Sequence, residues 1–373
     1  MTEISVQPTW ARSAPPPTPR PIFVIGAARS GTTLLQAMLG AHPSIAALPE
    51  MHFWFRIVNL ADYWGDLADP GRLRAALSEL INLPAGLLDR FGFDISRLMA
   101  GLPPGPLGYD RLLETVGQDL CQREGKVRWS EKTPWQTADQ IWQLFPEAQV
   151  IHLLREPRRT ISSTLGMPFN DLSAWRLAEL WDRYTVANIR SGVARGPRYY
   201  LQVRYEDLVG SPTATLGLVC SFLAEDFESS MLTHRQDTTA VFGGVPAWQA
   251  AATGPVRAPV ADEPRLSAAQ RALISLSIRR NAAALGYEAP RRRTIAAGYA
   301  LWPTTLPARL SGKIRDRRIA ALSPAERYEV VNRYTEGRVA AAIGQPGAER
   351  EEQDVAATSW LEPLIAGAGS RSR

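Results

Sequence analysis

Residues Gly26-Ala-Ala-Arg29-Ser30-Gly31-Thr32-Thr33 set two glycines, one arginine and three hydroxyls into one short stretch, a composition suited to gripping an anion. The spacing of the glycines, with two polar positions after the second, is that of a phosphate-binding loop. In such a loop the backbone N–H groups and the positive end of the following helix converge on one oxygen, and Thr32 or Thr33 adds a hydroxyl donor. A nucleoside triphosphatase with this pattern has a lysine at the position of Thr32, so the substitution weighs against an ATPase or kinase. Arg29 is the compensating cation, because its guanidinium fork holds two anionic oxygens at once.

The elements that must position this loop follow from its flanks. Ile22 to Gly26 is apolar and β-branched and predicts a strand; Thr32 to Gly40 carries helical spacing and ends at Ala41-His-Pro43, since proline disfavours helix in the residue before it. Residues from about 52 to 125 begin with Phe53, Trp54, Phe55, Tyr63 and Trp64 and then run helix-like, which predicts a helical insertion. Further on come a helix over Trp135 to Phe145, a strongly apolar strand over Gln149 to Leu154 with a helix after it, a strand over Tyr199 to Tyr205, and helices over Pro212 to Leu223 and Ser267 to Leu285. Strands alternating with helices predict a parallel sheet covered on both faces, with ligands at the carboxyl ends of its strands. Ser323-Pro-Ala-Glu326 is a capping-box start for one more helix.

Six motifs stand in order along the chain: Ile22 to Pro43, Ser130-Glu-Lys-Thr-Pro134, Phe145-Pro146, Val150-Ile-His-Leu-Leu-Arg-Glu-Pro157, Arg204-Tyr-Glu-Asp-Leu208 and Leu285-Gly-Tyr287. Together they resemble the sulfotransferases that use 3′-phosphoadenylyl sulfate, in particular the branch with bacterial enzymes and tyrosylprotein sulfotransferases. The likeness spans roughly residues 22 to 290. It implies a P-loop NTPase-like three-layer α/β/α fold with a central parallel sheet and sulfuryl transfer to a hydroxyl or phenol without a metal; the expectation of a soluble cytoplasmic protein comes instead from the absence of a long apolar run or signal pattern and from the isolated cysteines. The alternatives are a P-loop kinase or nucleotidase and a non-catalytic relative that only binds the nucleotide.

Roles carried over by that resemblance fall on named positions. Arg29, Ser30, Gly31, Thr32 and Thr33 would hold the donor's sulfate end, while Arg155 and Ser163, eight positions further on, would hold its 3′-phosphate. Lys132 would neutralise the leaving phosphate together with Arg29, and Tyr205 would face the adenine nucleotide. Glu50 matches the catalytic glutamate of the tyrosylprotein branch and would be the general base, with His52 in reserve. Two departures stand out: Gln136 occupies a position where many members have histidine, and Trp248 to Arg257 does not match the segment that closes over the donor.

The bulk numbers set limits on the class. The chain has 373 residues, 45% hydrophobic and 21% charged, the composition of a globular protein. No apolar run approaches the ~18 residues of a membrane span. Met1 to Pro21 lacks an apolar core before a cleavage pattern and reads as a disordered lead-in to a domain over 22–290, with an extension over 291–373. Cys121 and Cys220 lie far apart in no ligand pattern, which argues against zinc and against a disulfide framework. The net charge of +5 suits anionic ligands without any nucleic-acid-binding signature. Residues 291 to 318 hold eight Arg or Lys against one Asp, a stretch suited to a solvated face, an acidic substrate or peripheral membrane contact. The acceptor class stays open among small molecules, glycans, lipid-linked compounds and peptides.

Overall fold

The computed structural model describes residues 19–49, 51, 53–81, 92–102, 107–167, 170, 172–233, 266–307, 309–310, 317–318 and 320–331. Five parallel strands form one sheet: β1 (Ile22–Ile25), β2 (Ile45–Ala47), β3 (Arg128–Lys132), β4 (Gln149–Leu154) and β5 (Tyr200–Arg204), in the order β2-β3-β1-β4-β5. The central β1 and β4 are buried at every residue, as expected of parallel strands covered on both faces.

Side-chain alternation divides the core. Phe23, Ile25 and Val150 enter one apolar cluster, and Ile22, Val24, Ile151 and Leu153 enter the other. Over the first face lie the helices of the insertion, α2 (Phe53–Arg56), α3 (Ala61–Trp64), α4 (Pro70–Ile81), α5 (Ile95–Gly101) and α6 (Tyr109–Glu124), together with α7 (Ala138–Leu144). Phe23 anchors this side, with ring centroids 6.3 Å from Trp54, 5.6 Å from Trp129 and 5.2 Å from Phe145. Against the second face pack α1 (Thr32–Gly40) and α11 (Pro212–Leu223), which follows the short α10 (Tyr205–Gly210). A third cluster joins α8 (Pro157–Leu165), α9 (Ala174–Arg195), α12 (Ala268–Ile278) and α13 (Asn281–Ala284) to Ala27 of the loop.

Two strands escaped the sequence reading. β2 has three residues, and β3, Arg-Trp-Ser-Glu-Lys, looks polar, although all five of its residues are buried. Their polar groups have interior partners. Arg128 donates to the carbonyls of Arg20 and Leu223 and to Glu225 and Gln149, and Gln36 of α1 donates to the carbonyls of Leu48 and Ser130. The helix expected over Ser267 to Leu285 divides at Arg279 and Arg280, and Tyr205 begins α10 instead of ending β5.

The C-terminal extension supplies α14 (Arg292–Leu301), packed on α12, and a helical stretch at 324–331. Ser323 and Glu326 exchange the hydrogen bonds of a capping box. Tyr328 stacks on Tyr63 at 4.1 Å and donates to Glu79, and Val331 enters the first core cluster, so this stretch returns to the helical insertion.

Candidate active site

The loop after β1 is shaped by its backbone. Arg29 and Gly31 both have left-handed conformations, with φ of 69° and 94°, and they flank Ser30, whose N–H donates to the Ala27 carbonyl at 3.1 Å. Alternation of backbone hand of this kind turns successive N–H groups towards one concavity. Gly31 is required twice over: it is the N-cap of α1 in the left-handed region, and a Cβ there would stand 2.4 Å from the Tyr205 ring.

Neighbouring strands bring cations to this turn. β4 pairs with β1, and the residue after it, Arg155, donates to the Arg29 carbonyl at 2.7 Å, with its guanidinium 4.4 Å from the Tyr205 ring centroid. From α8, Ser163 accepts from Arg29 Nε at 3.2 Å. β3 pairs with the other edge of β1 and ends in Lys132, a buried residue whose ammonium donates to Thr33 Oγ1 at 3.3 Å. Burial, and then the like charge of Arg155, hold the Arg29 guanidinium below its ordinary range. Such clustering of cations suits an anion.

Two buried polar atoms in this cluster, Ser30 Oγ and Arg155 Nε, have no hydrogen-bond partner among the described residues. The residues present therefore fit a polyanionic ligand, since buried polar groups are ordinarily satisfied. The chain crosses from β1 to β2 in one direction and from β4 to β5 in the other, so the cluster lies where the strand order reverses. Such a crevice is the usual ligand site of an open parallel sheet.

The loop residues 29–33 thus meet Lys132, Arg155, Ser163 and Tyr205 in one place. Glu50 and His52 lie outside the described residues, as does Trp248 to Arg257. Leu48 donates to the Ser130 carbonyl at 2.8 Å, so the chain leaves β2 beside β3, at the end of the sheet that carries Lys132. Gln136 is turned to Gln140, to which it donates at 2.6 Å.

Sequence reasoning missed the residues that hold this frame. Glu206 accepts from the Glu156 backbone N–H at 2.9 Å, and Glu156 in turn caps α8 by accepting from the Arg159 N–H at 2.8 Å, with Pro157 in the first turn. The Glu-Pro pair is a legible helix start; the reach of Glu206 across 50 positions is not. After Lys132 the chain continues along β1, the Trp135 N–H donating to the Gly26 carbonyl at 2.9 Å. Among the described residues no group of His, Cys, Asp and Glu is placed to hold a metal, and no helix is long and apolar enough to cross a membrane.

A sequence profile of the Sulfotransferase family matches residues 21–229, a span that includes all five strands and every site residue named above. The chain belongs to the sulfotransferase family. Among curated relatives, this sulfotransferase-family chain is 32% identical to the nodulation protein NoeE of Sinorhizobium fredii, over 56% of this chain and 51% of that protein. It is 28% identical to protein-tyrosine sulfotransferase A of Caenorhabditis elegans, over 58% and 52% of the two chains. The chain therefore spans about half the length of the curated relatives it matches. Among solved structures, the sulfotransferase domain of the Synechococcus PCC 7002 olefin synthase aligns with a TM-score of 0.52 and 25% identity, over 74% of this chain and 98% of that one. The sulfotransferase domain from the curacin biosynthetic pathway aligns at 0.51 and 22%, over 73% and 99%, a likeness of fold.

Proposed function

We propose that this protein is a sulfotransferase that moves a sulfuryl group from 3′-phosphoadenylyl sulfate to a hydroxyl or phenol. The observation that carries the reading is the convergence of two anion-binding elements on one turn: Arg155 and Ser163 both touch Arg29, at 2.7 and 3.2 Å. A nucleotide phosphorylated on both sides of its ribose has that pair of needs. The loop residues 29–33 take the sulfate end, Arg155 and Ser163 the 3′-phosphate, and the orphaned Ser30 hydroxyl and Arg155 Nε find acceptors on the donor. Tyr205 braces both Arg155 and Gly31.

Sulfuryl transfer, like phosphoryl transfer, asks the protein mainly for placement and charge stabilisation. The acceptor oxygen attacks sulfur as its proton passes to the Glu50 carboxylate, the bond from sulfur to the phosphate oxygen breaks, and adenosine 3′,5′-bisphosphate leaves. Lys132 and Arg29 balance the charge that grows on that phosphate, and no metal is required. Acceptors carrying a hydroxyl on a small molecule, glycan, lipid-linked compound or peptide all fit this chemistry, and the names of the matched tyrosine sulfotransferases make a phenol the first to try.

The test is transfer of radiolabelled sulfate from this donor to a panel of phenols and alcohols in EDTA, with calorimetric binding of adenosine 3′,5′-bisphosphate alongside. Expected are binding and metal-independent turnover. Turnover with ATP and Mg²⁺ instead, or failure to bind the bisphosphate, would overturn the assignment.

A further inference from the structure

The C-terminal extension carries a surface that the nucleotide site does not use. From Arg292 to Leu310 every described position is helical or 3-10, and one side of this rod is anchored. Gly298 lies so close to α12 that a Cβ there would stand 2.4 Å from the Ala272 carbonyl oxygen. Trp302 lies edge-on to Trp175 at 5.7 Å, with the Arg309 guanidinium 4.6 Å from its ring, and Thr305 is buried.

Among the described residues the other side is largely exposed, with the Arg279 guanidinium 5.6 Å from the Tyr299 ring centroid. Arg292, Ala296, Tyr299, Pro303, Leu306 and Leu310 recur at steps of three and four and are all exposed, which places them along one side of the rod. Tyr299, Leu306 and Leu310 are 57%, 50% and 51% exposed, a grouping that sets them apart from a lone surface leucine. Exposed cations flank the strip in sequence: Arg291, Arg292 and Arg293 at its start, and Arg317 and Arg318 after its last residue. Across residues 291–318 eight Arg or Lys face a single acid, Asp316.

We propose that this face docks on an anionic lipid surface. Leucine and tyrosine side chains enter the boundary between headgroups and acyl chains, while arginines extend their guanidinium groups to lipid phosphates. A second copy of the chain is a poor occupant, because a two-fold contact would set two equally basic strips against each other. The cleft of about 530 Å³ behind Tyr299 adds no site of one sign, since Arg176 there is paired with Glu179 at 3.1 Å and Arg279 shares the wall with Asp182. The inference depends on neither donor nor acceptor, so it stands or falls apart from the proposed activity.

The experiment is co-sedimentation of the full chain with vesicles of phosphatidylcholine alone or with about 30 mol % phosphatidylglycerol. Binding is expected only to the anionic vesicles and should fall several-fold between roughly 0.05 and 0.5 M salt. Replacing Arg291, Arg292 and Arg293 with Gln should weaken binding roughly fivefold per arginine. The combined change Tyr299→Ser, Leu306→Ser and Leu310→Ser should abolish it, whereas Val193→Ser, at an apolar position 71% exposed elsewhere, should leave it unchanged. Circular dichroism melts establish that each variant is folded. Equal sedimentation with and without phosphatidylglycerol, variants that bind like the parent, or a dimer in the ultracentrifuge that only the Ser variant loses would each overturn the proposal.

Discussion

Arg155 is the side chain on which the proposed donor site turns. It leaves β4 beside the loop, bonds the Arg29 carbonyl at 2.7 Å and lies over the Tyr205 ring. Truncation would remove the charge-assisted contacts to the 3′-phosphate, so Arg155→Ala should weaken adenosine 3′,5′-bisphosphate roughly 10- to 100-fold in calorimetry. Affinity equal to that of the parent would contradict the assignment. Glu50 calls for the opposite signature: Glu50→Gln keeps donor affinity and cuts the transfer rate by roughly 10²- to 10⁴-fold. Undiminished turnover there would move the base to His52. Gly31→Ala tests the loop itself. With φ at 94° and the Tyr205 ring 2.4 Å from the new Cβ, the substitution should destabilise the fold by about 1–3 kcal/mol and erase bisphosphate binding; a variant with the parent's melting temperature would show that the turn is less constrained than its geometry indicates.

At the scale of elements, α8 is the part that must be held still, because it carries Ser163 and starts at Pro157, two residues after Arg155 and directly after its Glu156 cap. Glu206 fixes that start by accepting from the Glu156 N–H at 2.9 Å. Glu206→Ala should raise the dissociation constant of the bisphosphate several-fold, while Glu206→Gln, which keeps an acceptor oxygen, should restore it; two variants that weaken binding alike would show that charge matters and the bond does not. This clamp also marks how far the sequence could be read. The strand before the loop, the helix after it and the two apolar strands β4 and β5 announce themselves by composition and period. β3 does not, because Arg128, Glu131 and Lys132 look like solvent-facing residues until Arg128 finds its partners in Arg20, Leu223 and Glu225. Likewise Arg29, Arg155 and Ser163 were legible as residue types. Their meeting across 126 and 134 positions was implied by family resemblance and by no local pattern, since propensity carries no information about distant partners.

Across the whole molecule, folding locks away one titratable ring that the chemistry does not use. His152 sits mid-strand in β4, paired in register with Ile25, completely buried, with its Nδ1 2.6 Å from the Tyr200 hydroxyl. Burial pushes the imidazole from the ordinary 6.5 down to about 3, so the folded protein keeps it neutral at pH values where the unfolded chain protonates it. The unfolded state then binds more protons, and the stability contributed by the neutral ring is complete above pH 6.5 and drains away as pH falls towards 3. The limiting slope is about 1.4 kcal/mol per pH unit. Because β4 lies beside β1 at the middle of the sheet, this loss falls on the global unfolding equilibrium and not on a fraying edge. Urea titrations at about pH 7.5 and about pH 5 should therefore show the midpoint dropping steeply in the parent and less steeply in His152→Gln, whose amide can still bond the Tyr200 hydroxyl but takes up no proton. The variant is expected to start lower, since an amide does not fill the volume of a ring in a close-packed core, yet to change less between the two conditions. Parallel losses in the two proteins would assign the acid sensitivity to the carboxylates and clear His152 of it.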